Sequence, residues 1–226
     1  ISSHYDTIMS SGFCDNGAGT AGVIELARVF TEAVKNRLFY PKYTILFIAF
    51  TSEELGLVSS INYVMEHEAE MSDIVAVLNL DCIGSDDLYV TETNPSSEFD
   101  LDMLVLKAAE DLEVSATLEA AGASDHEVFR DPTSFGIDAT PVESSAMLDS
   151  YPLLYTDKWD MGTPGWIHTS YDNSTSTTTL NWVEADDLAN HITVAALSVM
   201  RIVIYLRGDI NEDRAVDIGD LDQAAV

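Results

Sequence analysis

The stretch YTILFIAF at residues 43–50, followed by TSEELGL at residues 51–57 and, further on, IVAVLNL at residues 74–80, decides the fold class of this chain. The first and last of these runs are short, apolar at nearly every position and rich in β-branched residues. A strand covered on both faces requires that composition, whereas a half-exposed strand alternates. Residues 55–68 between them read as a helix. Upstream, residues 20–34 carry apolar residues at helical spacing, and Ile1-Ser2-Ser3-His4 reads as the end of a strand, so earlier chain is expected to precede it. Downstream, residues 101–112 read as a further helix. Alternating strands and helices predict an α/β fold with a mainly parallel central sheet and helices on both faces, in three layers.

Beyond residue 112 the pattern thins. Strands are expected at residues 139–143 and 152–155, the Ser/Thr tract at 174–179 is expected in a loop, and this region should carry substrate-facing loops. A long closing helix is expected over residues 183–206. The composition then turns to Asp, Asn and Gly, which places a boundary near Gly208 and divides the chain into residues 1–207 and 208–226.

The chain has 226 residues, 46% of them hydrophobic, enough for a real core. Thirty-nine acidic against ten basic side chains give a net charge of -29, which repels phosphate backbones and anionic lipid and argues against nucleic acid as a partner. No apolar run approaches the ~20 residues of a membrane-spanning helix. Two cysteines, Cys14 and Cys82, are too few for a disulfide framework and form no zinc-ribbon pattern; two buried, inert thiols are expected.

In open α/β sheets ligands bind beyond the carboxyl ends of the strands. Metal-type side chains follow each predicted strand: His4 and Asp6 after the first, Glu53-Glu54 after the second, Asp81 after the third. Asp15 stands just before a helix, and His168 comes from a later loop. Singly, such residues are usually a surface pair, a solvated helix start or a cap. Together at one sheet edge they point to a metal, because buried carboxylates are costly unless a cation offsets them.

The segments SSHYDT, DNGAG before a helix, TSEELGL, LNLDCIG, SDHEVF and WIHTSYD, in that order from Ser2 to Asp172, resemble the M28 family of co-catalytic zinc peptidases, which includes secreted bacterial aminopeptidases. The resemblance implies a zinc-exopeptidase-like fold and two zinc ions. It implies that Asp15 bridges them, with His4 and Asp81 completing one site and Glu54 and His168 the other. A zinc-bound water would be the nucleophile and Glu53 the general base. Zinc accepts imidazole nitrogen and carboxylate oxygen at ~2.0–2.2 Å and keeps a position open for water in hydrolytic sites, so the chemistry of the donor set agrees. Asp6 is read as the carboxylate that orients the His4 imidazole. Substrate contacts are assigned to Asp125, Ile167 and Tyr171, with peptides as substrates and a secreted location, for which a leader would lie in the earlier chain.

Where many relatives have an Asp before the bridging Asp, this chain has Cys14; where they supply an oxyanion-stabilising tyrosine, it has Ala121 and Ile167, leaving zinc or Tyr171 for that task. Arg130 is the one basic residue near these motifs that could hold a terminal carboxylate, so an aminopeptidase is favoured over a carboxypeptidase. His126 is expected to fix its loop, His67 and His191 to be ordinary helix histidines, and Asn173-Ser174-Thr175 matches a glycosylation acceptor. A glutaminyl-cyclase-like zinc acyltransferase and a metal-free binding scaffold share the fold; the first typically uses one metal, and the full ligand set argues against the second.

Asp209, Asn211, Asp213, Asp217 and Asp220 occupy positions 1, 3, 5, 9 and 12 of a calcium loop, with Arg214 in place of the usual glycine. This tail resembles the first half of a dockerin module. The resemblance implies calcium binding and, where the chain continues, a cohesin domain as partner.

Overall fold

The computed structural model describes residues 1–8, 11–38, 40–85, 87–91, 100–119, 124–142, 144–150, 168, 172 and 183–203. The expected strand at residues 152–155, the Ser/Thr tract, the boundary near Gly208 and the tail lie outside the described residues.

Among the described residues six strands form one sheet in the order β2-β1-β3-β6-β4-β5. They are β1 (Ser2–His4), β2 (Ile48–Phe50), β3 (Val77–Leu80), β4 (Leu88–Thr91), β5 (Ala116–Glu119) and β6 (Ser145–Asp149). β2, β1, β3 and β6 run parallel, β6 pairs antiparallel with β4, and β5 is parallel to β4. The helices are α1 (Gly19–Lys35), α2 (Val58–Glu66), α3 (Leu101–Asp111), α4 (His126–Arg130) and α5 (Ala185–Val203). The fold is α/β with a mainly parallel sheet, as the alternation of elements required.

Successive strand residues point to opposite faces, and the two cores separate accordingly. Leu78 and Leu80 of β3, Leu88 and Val90 of β4, and Ala146 and Leu148 of β6 pack with α1, α3 and α5. Phe50 of β2 and Val77 of β3 pack on the other face with Val64 of α2 and with Val128 and Phe129 of α4. Leu148 lies fully buried in the central strand β6, opposite Leu80 in the ladder with β3. Leu148→Ala should cost ~2–5 kcal/mol of stability, read as a lower urea midpoint. An unchanged midpoint would mean that this face is not a close-packed core.

Several elements differ from expectation for local reasons. Residues 43–47 belong to no strand, although the Leu46 carbonyl accepts from Ile1 N at 2.8 Å, and β2 begins at Ile48, whose N–H donates to Ile1 O at 2.9 Å. α2 starts at Val58, not at residue 55, because Gly56 (φ 94°) and Leu57 (φ 61°) adopt left-handed conformations that hold residues 53–57 in a turn. No strand occupies residues 139–142. Pro141 lacks a backbone donor and Val142 N bonds to Phe129 O at 2.8 Å, so pairing begins at Ser145.

Candidate metal centre

Because β1, β2 and β3 are parallel, their carboxyl ends share one edge of the sheet. β1 ends on His4, whose partner in the ladder is Phe50, so Asp6 emerges beside the segment that carries Glu53 and Glu54. β3 ends on Leu80, immediately before Asp81. Asp15 arrives from the turn preceding α1, and Asn16 anchors that turn to β3. The Asn16 Nδ2 donates to Leu80 O at 2.9 Å, and its Oδ1 accepts from Gly19 N at 3.0 Å and Cys82 N at 3.2 Å. A side chain on Gly19 would collide with both Asn16 and the Leu80 carbonyl, which explains a glycine at this close approach. Thr20 Oγ1 donates to His4 O at 2.8 Å and ties α1 to β1.

Asp15 stands between two imidazoles. Its Oδ1 is 3.2 Å from His4 Nε2 and its Oδ2 is 3.1 Å from His168 Nε2. Asp81 Oδ1 lies 3.3 Å from the same His4 nitrogen, and Glu54 Oε2 lies 2.7 Å from His168 Nε2. Two groups able to hold a metal ion result, His4–Asp15–Asp81 and Asp15–Glu54–His168, each with its ligand atoms within 4.8 Å of one another and both using Asp15. Glu53 belongs to neither group, and its Oε2 is 4.0 Å from His4 Nε2.

Asp6 does more than was expected of it. The His4 Nδ1 is 3.1 Å from the Asp6 carbonyl and 3.6 Å from its carboxylate. The carboxylate instead accepts Glu53 N at 3.2 Å and Glu54 N at 3.3 Å. One side chain therefore sets the backbone that presents both acidic residues.

The surroundings are strongly perturbed. Burial opposes charge on His4, but the Asp81 and Asp15 carboxylates overcome it and push its pKa up to about 12. Hydrogen bonds to Asp15 and Glu54 raise His168 to about 9, and Asp15 itself is held below the usual carboxylate range despite its burial. Burial, together with Asp81 and Asp125, pushes Glu53 up to about 8. Asp125 is raised to about 7, first by burial and then by neighbouring carboxylates such as Asp81.

These shifts predict how the metal-free chain responds to pH. Folded Glu53 keeps a proton up to about pH 8 and unfolded Glu53 only to about 4.5; for Asp125 the same interval runs from 3.8 to about 7. Both groups thus lower stability as pH rises through those windows, and the stability that His4 gains by its raised pKa starts to be lost above 6.5. All three act with one sign, as does His168, while the buried Ile1 amine, lowered to about 5, opposes them and the neutral His126 opposes them only below 6.5. The urea midpoint of the chelator-treated chain should therefore be lower at about pH 8 than at about pH 6.5, with zinc restoring it by binding only the folded form. A midpoint that rises over this interval would contradict the assigned couplings.

Asp125, read as a substrate contact, is completely buried, with the Ser60 side chain beside it. Its charge acts on Glu53. His126, expected to fix its loop, is buried with its Nε2 3.4 Å from Glu127 Oε1, and burial lowers its pKa to about 3. Arg130 is engaged by Glu127 at 2.7 Å. His191 accepts from Gly84 N at 3.0 Å and is an ordinary helix histidine, while His67 stands in the turn just after α2 and pairs with Glu70 at 3.1 Å near the surface. Cys14 and Cys82 are free and buried; their mutual hydrogen bond lowers one pKa and raises the other, burial raises both, and each ends above the usual thiol range, as inert thiols do. Ile167, Tyr171, Ala121, the acceptor triplet at Asn173 and the calcium-loop residues Asp209, Asn211, Asp213, Asp217 and Asp220 lie outside the described residues.

A family model described as "Peptidase family M28" matches residues 1–195. The chain belongs to peptidase family M28. Among curated relatives, "Aminopeptidase YwaD" of Bacillus subtilis (strain 168) is 30% identical over 181 residues, 76% of this chain and 35% of that protein. A "Probable zinc metalloprotease" of Pyrenophora tritici-repentis is 32% identical over 101 residues, 41% of this chain and 22% of that protein. The M28 chain thus spans about a third or less of the length of these relatives. Among solved structures, the Legionella pneumophila LapA aminopeptidase superposes with a TM-score of 0.68 at 22% identity, over 92% of this chain and 51% of that one, which shows the shared fold.

Proposed function

We propose that this chain is the catalytic part of a zinc aminopeptidase that removes N-terminal residues from peptides. The observation that carries the reading is the pair of three-residue clusters meeting at Asp15. The residues suit zinc: two imidazoles and three carboxylates converge, and Glu54 Oε1 is buried without a partner, an orphaned acceptor of the kind a cation satisfies. His4, Asp15 and Asp81 would hold one ion, and Asp15, Glu54 and His168 the other. Bound zinc would acidify a water and polarise the scissile carbonyl. The names of the relatives, an aminopeptidase and a zinc metalloprotease, agree with this reading.

The remaining steps fall to the chain's own side chains. Glu53 takes the proton from the attacking water and delivers it to the leaving amine nitrogen. Its carboxyl is free of both clusters yet within 4.0 Å of His4, and Asp6 fixes its backbone through the 3.2 Å bond to Glu53 N. A terminal ammonium is welcomed by this surplus of carboxylates, whereas a terminal carboxylate would need a free guanidinium or ammonium. Arg130, the candidate for that task, is occupied by Glu127 at 2.7 Å.

The test compares a carboxyl-blocked dipeptide with its amino-acetylated counterpart. Zinc-dependent cleavage of the first alone supports the reading; cleavage of the acetylated peptide alone would establish a carboxypeptidase. Ring closure of an N-terminal glutamine without hydrolysis, with one zinc per chain, would establish a cyclase-like acyltransferase instead.

A further inference from the structure

The two clusters are not built alike. His4 and Asp81 sit at the ends of adjacent strands, where ladder pairing, Thr20 and Asn16 fix them. The other cluster joins three segments far apart in sequence, and His168 lies in none of the described strands and helices. Something must register that segment against the turn bearing Asp15. Asp172, four residues after His168, is almost completely buried.

Its side chain makes contacts of one kind. Asp172 Oδ1 accepts Cys14 N at 2.7 Å and Oδ2 accepts Asp15 N at 3.1 Å, while the Phe13 N–H is also directed at the carboxylate. The Asp172 carbonyl accepts Ser11 Oγ at 2.9 Å. An ionised carboxylate is an acceptor-only group with two oxygens, and charge-assisted bonds to N–H donors are roughly twice as strong as neutral ones. The two oxygens of one rigid group grip consecutive amides, so they fix the orientation of the peptide unit between Cys14 and Asp15 as well as its position. The same residue is covalently joined to His168 through three intervening residues. A short tether at one end and a two-point clamp at the other set His168 opposite Asp15.

From this geometry we infer that Asp172 is a positioning residue, a clamp whose carboxylate holds the Asp15 backbone so that His168 meets the Asp15 and Glu54 carboxylates. The inference rests on the two-zinc reading above and refines it: the two metal steps depend differently on one carboxylate that ligates neither ion. The His4–Asp15–Asp81 site, built on the sheet and held by Asn16, tolerates loss of the clamp. The Asp15–Glu54–His168 site does not.

The experiment is calorimetric titration of Zn2+ into the metal-stripped full chain, with His168→Ala marking which binding step belongs to the His168 site. In Asp172→Asn one oxygen becomes an NH2 that faces a backbone donor, while volume is conserved. The step lost in His168→Ala should weaken ~10–100-fold, as removal of a supporting partner of a metal ligand does, and the other step should stay within about threefold. Asp172→Glu, which keeps the charge but displaces it, should weaken the same step by a smaller factor and serves if the asparagine variant does not fold. Ser11→Ala removes the bond to the Asp172 carbonyl and should leave both steps unchanged. Equal weakening of both steps, no weakening of either, or the same change in Ser11→Ala would overturn the clamp. Fewer than two steps in the unaltered chain would instead overturn the two-zinc reading on which it stands.

Discussion

Glu53→Gln should retain zinc and lose nearly all hydrolysis, a fall of about 10²–10⁴-fold in kcat if proton transfer is its role. The substitution is nearly isosteric. The Glu53 N–H still reaches Asp6, and neither metal-type cluster includes this side chain. What disappears is a basic oxygen beside His4, in a position where burial and the Asp81 and Asp125 carboxylates already make the group a stronger base than an ordinary glutamate. Steady-state kinetics on a carboxyl-blocked dipeptide, with zinc per chain measured on the same sample, checks both halves. Turnover close to that of the unaltered chain would remove Glu53 from the mechanism; loss of zinc together with activity would make it a ligand.

The second large effect is expected at Asp15. Its two oxygens face different histidines, at 3.2 and 3.1 Å, so Asp15→Ala removes a ligand from both clusters at once. Affinity at each site should fall by more than the ~10–100-fold typical of a supporting residue, and zinc per chain should drop towards zero after dialysis. His168→Ala and Asp81→Ala, by contrast, each take a ligand from one cluster only. The order of zinc retention distinguishes a shared ligand from two independent sites: retention in Asp15→Ala equal to that in the single-site variants would contradict the bridge.

The residues that meet at this edge were legible because a metal-binding role constrains residue type and place together. His4 ends β1, Asp81 directly follows β3, and Glu53 and Glu54 come in the turn after β2; parallel strands bring such positions to one edge. His168 carried no such signal and was reached only through the resemblance of WIHTSYD to the family motif. Asp172 in the same segment and Asn16 beside Asp15 were passed over because both act through backbone amides and carbonyls. A residue that bonds to main chain has no partner type that a sequence pattern could match. Asp125 is completely buried, a degree of enclosure that its motif SDHEVF does not signal.

The fold was read best where elements were long and periodic. Residues 20–34 and 101–112 correspond to α1 and α3 within a residue at each end. β4 and β5 are four residues each and were not anticipated; β6, with sequence SAMLD, has polar ends and no β-branched residue, yet all five of its side chains are buried. A central strand needs only to be small enough and well enough covered to fit between its neighbours, and that is decided by tertiary packing.

The most direct measurement is an anomalous-scattering map from crystals of the zinc-loaded protein. Two adjacent peaks are predicted, one bounded by His4, Asp15 and Asp81 and the other by Asp15, Glu54 and His168. A single peak, or peaks away from Asp15, would contradict the account.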